Sequence, residues 1–255
     1  MHQFIRNFCV LTATFVFCAA THAAKPSAEK MHFATPEEAI KTLVTSVKDQ
    51  NKNKLIEILG TEAKPLIESG DTDQDQANRQ RFINAYDEGN KLEKINETEV
   101  VLSIGKNNWP FPIPLMQESK GWYFDTNAGK EEILNRRIGG NELTTIKTLL
   151  TYVNPQERSS SPLEEEFKNS NGDKTTSTPE PYFGYLYRFL DNTTEGYSLV
   201  AWPITYGNTG VMTFVVNKEG KIYEKDLGPN TKTTVNKITK FNPDKTWKEV
   251  KSIDK

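Results

Sequence analysis

Three prolines at alternate positions set the tightest limit on what this chain can fold into. In Trp109-Pro110-Phe111-Pro112-Ile113-Pro114-Leu115 an extended backbone puts Trp109, Phe111, Ile113 and Leu115 on one face. The prolines share the other face, and their missing N–H donors fall along a single edge, so the strand can pair on only one side. The spacing predicts an edge strand, protected against further strand addition, with its apolar side chains turned inward. A polyproline segment bound by a groove is the competing reading. Strict alternation of aromatic and aliphatic residues is what a half-buried strand requires, and it favours the first.

The segments before it read as helices. Thr35-Pro36-Glu37-Glu38 has a capping threonine, proline at the first helical position and a glutamate three residues after the cap. Ile40, Leu43, Val44 and Val47 follow at helical spacing. A second helix, Asn53 to Leu59, should stop at Gly60, and a third from about Gln76 to Leu92 would carry Phe82, Ile83 and Tyr86 on one stripe over a sheet. That sheet begins with Glu99 to Gly105 and returns through Gly121-Trp122-Tyr123-Phe124-Asp125.

Farther along, helical patterning from Ala128 to Val153 is interrupted at Gly139-Gly140. Polar composition from 155 to 181 marks a mobile loop. Four strands come next, at Tyr182–Leu190, Tyr197–Pro203, Val211–Asn217 and Lys221–Leu227, then a short element near Trp247. The expected class is α+β. N-terminal helices pack on a small antiparallel sheet, a long broken central helix follows, and a C-terminal antiparallel sheet of about four strands completes the chain. The expected divisions are a signal peptide at 1–24, a flexible lead-in at 25–34, one domain at 35–137 and a second at 138–255.

The leader reading rests on Arg6, the apolar stretch Phe8 to Ala20, and small residues permitting cleavage after Ala23 or Ala24. It implies a periplasmic or secreted protein with no transmembrane segment after cleavage. The chain has two cysteines and three histidines. Cys9, Cys18, His2 and His22 all leave with the leader, and His32 sits in the lead-in. Cysteine or serine–histidine catalysis and the common zinc sites lose their ligands, so no catalytic residue, metal or cofactor is assigned. Loss of Arg6 leaves one fewer than 32 basic residues against 34 acidic ones, a net charge of about −3 without long blocks of one sign. Nucleic acid is not an expected partner.

Two motifs invite chemistry and fail on detail. Asp71-Thr72-Asp73-Gln74-Asp75 alternates oxygen ligands like a calcium loop, but Gln76 stands where glycine is needed and Phe82 where glutamate is needed. A solvated helix start explains it better. Ser27-Ala28-Glu29-Lys30 has the serine–lysine spacing of penicillin-binding enzymes without their Lys-Thr-Gly partner.

Several longer stretches together carry a resemblance: Trp-Pro-Phe-Pro-Ile-Pro-Leu (109–115), Gly-Trp-Tyr-Phe-Asp-Thr (121–126), Arg-Arg-Ile-Gly-Gly-Asn-Glu-Leu (136–143), Pro-Tyr-Phe-Gly-Tyr (181–185), Ala-Trp-Pro (201–203), Tyr-Gly-Asn-Thr-Gly-Val-Met-Thr-Phe (206–214) and Lys-Asp-Leu-Gly-Pro (225–229). The chain resembles a family of exported bacterial proteins, the domain-of-unknown-function family 2950. The resemblance implies a periplasmic protein with no assigned activity. It departs from the family pattern between about 156 and 179, where members usually have a longer aromatic-containing insertion. In parts, the first half is similar to NTF2-like or cystatin-like cones, and the second to the globular part of type IV pilins without their hydrophobic stem. These are likenesses of fold, which do not fix function.

The densest polar cluster is Asp125, Glu131, Glu132, Arg136, Arg137, Asn141 and Glu142. Its arginines can clamp a carboxylate or phosphate, or the cluster is an inter-domain salt-bridge network. The expected function is non-enzymatic binding of an envelope protein or small ligand. Its candidate residues are Asp125, Arg136, Arg137, Asn141, Glu142, Tyr206 and an aromatic surface near Trp109, Trp122 and Trp202. A carboxylate-dependent hydrolase of envelope glycans using Asp125, Glu131 and Glu132 is one alternative. A pilin-like assembly subunit is the other.

Overall fold

The structure is a computed structural model and describes residues 30–169, 180–190 and 198–251. The expected leader, its cleavage site, both cysteines, Ser27, His2 and His22 lie outside the described residues.

Local signals account for most helix starts. In α1 (Pro36–Lys48) the Thr35 hydroxyl accepts the Glu38 amide at 3.2 Å, while the Glu38 carboxylate accepts the amide of Ala34 at 3.0 Å. Its buried face carries Ile40, Leu43, Val44 and Val47. Asn51 caps α2 (Lys52–Leu59), which ends at Gly60 with a φ of +86° that few other residues adopt. A short α3 (Lys64–Ile67) comes next. Asp71 accepts the Gln74 amide at 2.9 Å and starts α4 (Thr72–Glu88) four residues earlier than expected. The acidic run is therefore a helix cap and first turn.

The helix also ends earlier than its apolar stripe predicts. Gly89 stops it, and Asn90–Asn96 forms β1, paired antiparallel with β2 (Glu99–Ile104) from Asn90↔Ile104 to Asn96↔Glu99. On the other side of β2 lie β3 (Trp109–Pro110) and β4 (Leu115–Glu118), and β4 continues into β5 (Gly121–Phe124).

The proline segment is thus not the single edge strand expected. Phe111 donates to Leu102 O at 2.7 Å, the chain then bulges through Pro112–Pro114, and pairing with β2 resumes at Leu115↔Val100. From Leu115 onward the strand is internal. The physical limit still operates on the proline edge, whose carbonyls are taken by groups other than a strand. Pro114 O accepts the Asp125 amide at 2.9 Å, and Pro110 O accepts Arg136 Nη1 at 2.8 Å.

Helix α5 (Thr126–Val153) runs 28 residues, about 42 Å at 1.5 Å per residue, without a break at Gly139-Gly140. Two glycines cost a helix roughly 1 kcal/mol each, and side-chain anchors on both flanks offset that cost. Arg136 is tied to Pro110, while Asn141 Nδ2 donates to Thr209 O at 2.8 Å.

The C-terminal sheet is an antiparallel meander of β6 (Tyr185–Leu190), β7 (Ser198–Pro203), β8 (Met212–Val216), β9 (Ile222–Asp226) and β10 (Lys248–Glu249). Ile146, Leu149, Tyr152 and Val153 of α5 cover one face. Helix α6 (Pro162–Asn169) joins them with Leu163 and Phe167. That helix stands inside the segment whose polar composition predicts a loop; its two apolar residues at i and i+4 suffice to seat it beside Tyr152 and Phe189. The opposite face is covered by the tail after β9, including α7 (Thr231–Val235), Ile238, Phe241 and Trp247. Arg188 donates to Val235 O at 3.0 Å and Ile238 O at 2.9 Å and holds that tail down.

Gly129 and the Gly139-Gly140 pair give opposite predictions. A Cβ on Gly129 would lie 2.5 Å from Ile113 Cγ1 and 3.0 Å from its Cα, whereas nothing lies within 4 Å of Gly139 or Gly140. Gly129→Ala should destabilise by about 1–2 kcal/mol. Gly139→Ala or Gly140→Ala should stabilise by about 0.5–1 kcal/mol in urea unfolding. Destabilisation by either of the latter would mean the helix is broken there.

Candidate functional site

Below the N-terminal helices, the side chains that the sheet does not cover leave a cleft of about 510 Å³. Leu43 and Val47 of α1, with Leu55 and Leu59 of α2, form its apolar floor. Phe111, Pro112 and Ile113 form one wall, and Ile133 of α5 reaches in between. The bulge that the prolines impose is what turns this wall toward the helices.

The opposite wall is α4, and it changes character along its length. Asp75, Arg79 and Phe82, at helical spacing, all face the cleft. Phe82 packs on Phe111 with ring centroids 5.5 Å apart. Toward the helix start the wall is polar. The Asp75 carboxylate accepts the Ser69 hydroxyl at 2.7 Å and the Ser69 amide at 3.1 Å, and these bonds hold its carboxyl below the usual carboxylate range. Arg79 has no hydrogen-bond or ion-pair partner among the described residues and meets Asp75 only through the coulombic field. Arg81 donates to the Asn78 side chain. At the rim, two large apolar side chains stay exposed, Trp109 at 59 % and Leu66 at 41 %. The Arg136 guanidinium lies 5.0 Å from the Trp109 ring centroid and is paired with Glu132 at 2.7 Å.

The residues singled out from sequence are distributed among three environments. Trp109 and Arg136 come together beside the cleft. Trp122 is buried in the N-terminal core and Trp202 in the tail-side core, so the three tryptophans do not make one aromatic surface. Each belongs to the buried face of its strand. Asp125 caps α5 by accepting the Ala128 amide at 3.2 Å, and Glu131 is exposed.

The remaining candidates tie α5 to the loop before β8. Arg137 donates to the Asn208 side chain. One Glu142 oxygen accepts the amides of Val211 and Met212, both at 2.9 Å. Tyr206 donates to Asp226 at 3.1 Å on the exposed side of the same loop. Sequence reasoning missed Arg79, Arg81, Leu66 and Ile133. The i, i+4, i+7 relation of Asp75, Arg79 and Phe82 was the available signal, lost because the stripe is polar at one end.

No described group of three or more His, Cys, Asp or Glu residues has an arrangement suited to a metal ion. Among the described residues, no helix is long and apolar enough to cross a membrane.

Two antiparallel sheets joined by one long helix, with an apolar cleft in the first half, define an α+β protein. The family described as protein of unknown function (DUF2950) matches residues 30–160 and 154–250, and the chain belongs to it. No curated protein and no solved structure matches the chain.

Two outcomes separate anchoring from binding. Glu142→Ala strips the acceptor from two backbone amides and should cost about 1–3 kcal/mol of stability. The cleft should be unaffected, and a loss of ligand binding at unchanged stability would contradict the anchoring role. Beneath Glu142 are two phenols. Burial pushes Tyr185 far above its ordinary value of 10.0 and Tyr187 up to about 12. A raised folded-state value favours the neutral form, so the stability these groups contribute is complete below about pH 10 and is lost as pH rises toward 12. In an alkaline ultraviolet titration, Tyr185 and Tyr187 at least, among the nine tyrosines, should ionise only as the chain unfolds. Ionisation of all nine near pH 10 with the circular dichroism unchanged would be the opposite result.

Proposed function

We propose that this chain is a non-enzymatic binding protein of the bacterial cell envelope, exported by its N-terminal leader, which holds a partly apolar small ligand in the cleft between α1, α2, α4 and the proline segment. One observation carries the reading. A cleft with an apolar floor, of a size typical for small-molecule sites of about 300–1,000 Å³, has two exposed apolar side chains, Trp109 and Leu66, at its rim. Helices packed over the sheet of β1 to β5 support reading the first half as an NTF2-like or cystatin-like cone. A helix against an antiparallel meander supports the pilin-like reading of the second. The composition of the leader supports export.

A neutral apolar fluorophore, N-phenylnaphthylamine, tests the binding role. It should give a saturable, one-site enhancement with the purified mature chain. Trp109→Ala should weaken binding about three- to tenfold, the scale of one aromatic contact, and Leu66→Arg should weaken it further. Enhancement that never saturates, or that ignores both variants, would remove the cleft from consideration.

A further inference from the structure

We infer that the ligand of this cleft is a single-chain amphiphile ending in an anionic group, its alkyl part on the floor and its carboxylate or phosphate at Arg79 and Arg81. The inference rests on the binding role proposed above and adds the chemistry of the ligand.

The polarity of α4 is the first ground. Phe82 faces the floor residues and Phe111, while Arg79, Asn78 and Asp75 line the cleft one to two turns nearer the helix start and Arg81 lines it beside Phe82. A ligand lying along this wall passes from an apolar to a charged environment within about two helical turns. Wholly apolar molecules would leave the Arg79 guanidinium without a partner, and wholly polar ones would sit on a floor offering no hydrogen bonds.

The second ground is the charge balance. Two arginines and one carboxylate line the cleft, so positive charge is in excess, and the carboxylate oxygens accept the hydroxyl and amide of Ser69. Arg79 is half-exposed and without a hydrogen-bond partner among the described residues. Arg136, the next guanidinium along the rim, is committed to Glu132, Pro110 O and the face of Trp109. The charge available to a ligand therefore belongs to Arg79 and Arg81, and its sign selects an anion. Guanidinium groups bind carboxylate and phosphate alike through paired N–H donors. A free fatty acid and a lysophospholipid thus share the required chemistry.

Isothermal titration of the mature protein, below the micellar concentration of each probe, tests this with four molecules of equal chain length: laurate, lauroyl lysophosphatidate, dodecanol and dodecyltrimethylammonium. Laurate or the lysophosphatidate should bind about tenfold more tightly than dodecanol, and the cation more weakly still. The tighter of the two anions identifies the headgroup source. Arg79→Gln with Arg81→Gln, both on a solvent-facing helix, should reduce anion affinity about tenfold and leave dodecanol unchanged. Added salt should weaken the anions selectively. If dodecanol matches the anions in both proteins, the anionic group is wrong while the cleft remains a binding site. If none of the four probes binds the folded protein, both the ligand class and the binding role are overturned.

Discussion

Helix α5 crosses two consecutive glycines without a break, touching the N-terminal half at its start and supplying one face of a C-terminal core at its end. Its first turns hold the N-terminal half: Thr126 Oγ1 donates to Leu59 O at 2.5 Å, and Gly129 lets the helix approach Ile113 more closely than any side chain would permit. Its last turns supply Ile146, Leu149, Tyr152 and Val153 to the C-terminal core. The exposed middle of the helix has little apolar contact of its own, so anchors from both sides do the holding. Arg136 reaches back to the proline segment, while Arg137, Asn141 and Glu142 reach forward to the loop before β8.

The proline segment acts on the other side of the same contact. Without N–H donors along one edge, it cannot accept another strand there, and its carbonyls are left for Asp125 and Arg136. The accompanying bulge sets Phe111 against Phe82 of α4 and Ile113 against Gly129 of α5. A regular strand would have closed the sheet over α1 and α2; the irregular one leaves a walled cleft. The proposed binding in that place, and the proposed preference for an anion at Arg79 and Arg81, rest on a covalent property of proline and on the polarity of one helix.

Much of this was legible in the sequence where local chemistry is decisive. Thr35 and Gly60 mark helix ends through capping, and the strands of the C-terminal sheet stand close to where alternation places them. The long run in β7 is apolar because both its faces are covered, by α5 on one side and the tail on the other. Illegible features were those that depend on distant partners. β1, with the sequence Asn-Lys-Leu-Glu-Lys-Ile-Asn, has little strand propensity and exists by pairing with β2. Gly139-Gly140 looks like a break because the anchors spanning it come from residues some 70 positions away in sequence, such as Val211 for Glu142. In the candidate site, Trp109 and Arg136 could be named from composition and charge. Trp122 and Trp202 could not be separated from them, since burial of a tryptophan is a property of the packed sheet. Arg79 and Arg81 were hidden in a helix whose overall polarity conceals a face lining the cleft.

Continuity of α5 through Gly139-Gly140 is what ties the N-terminal contacts of Thr126, Gly129 and Arg136 to the C-terminal core built on Ile146, Leu149, Tyr152 and Val153. Native-state hydrogen exchange resolved along residues 126–153 tests it most directly. In a continuous helix, amides from Ile138 to Leu143 exchange in the same slow, cooperative class as those near Leu149. Rapid exchange confined to Gly139, Gly140 and Asn141, with protected helix on either side, would show two helices joined by a hinge and contradict it.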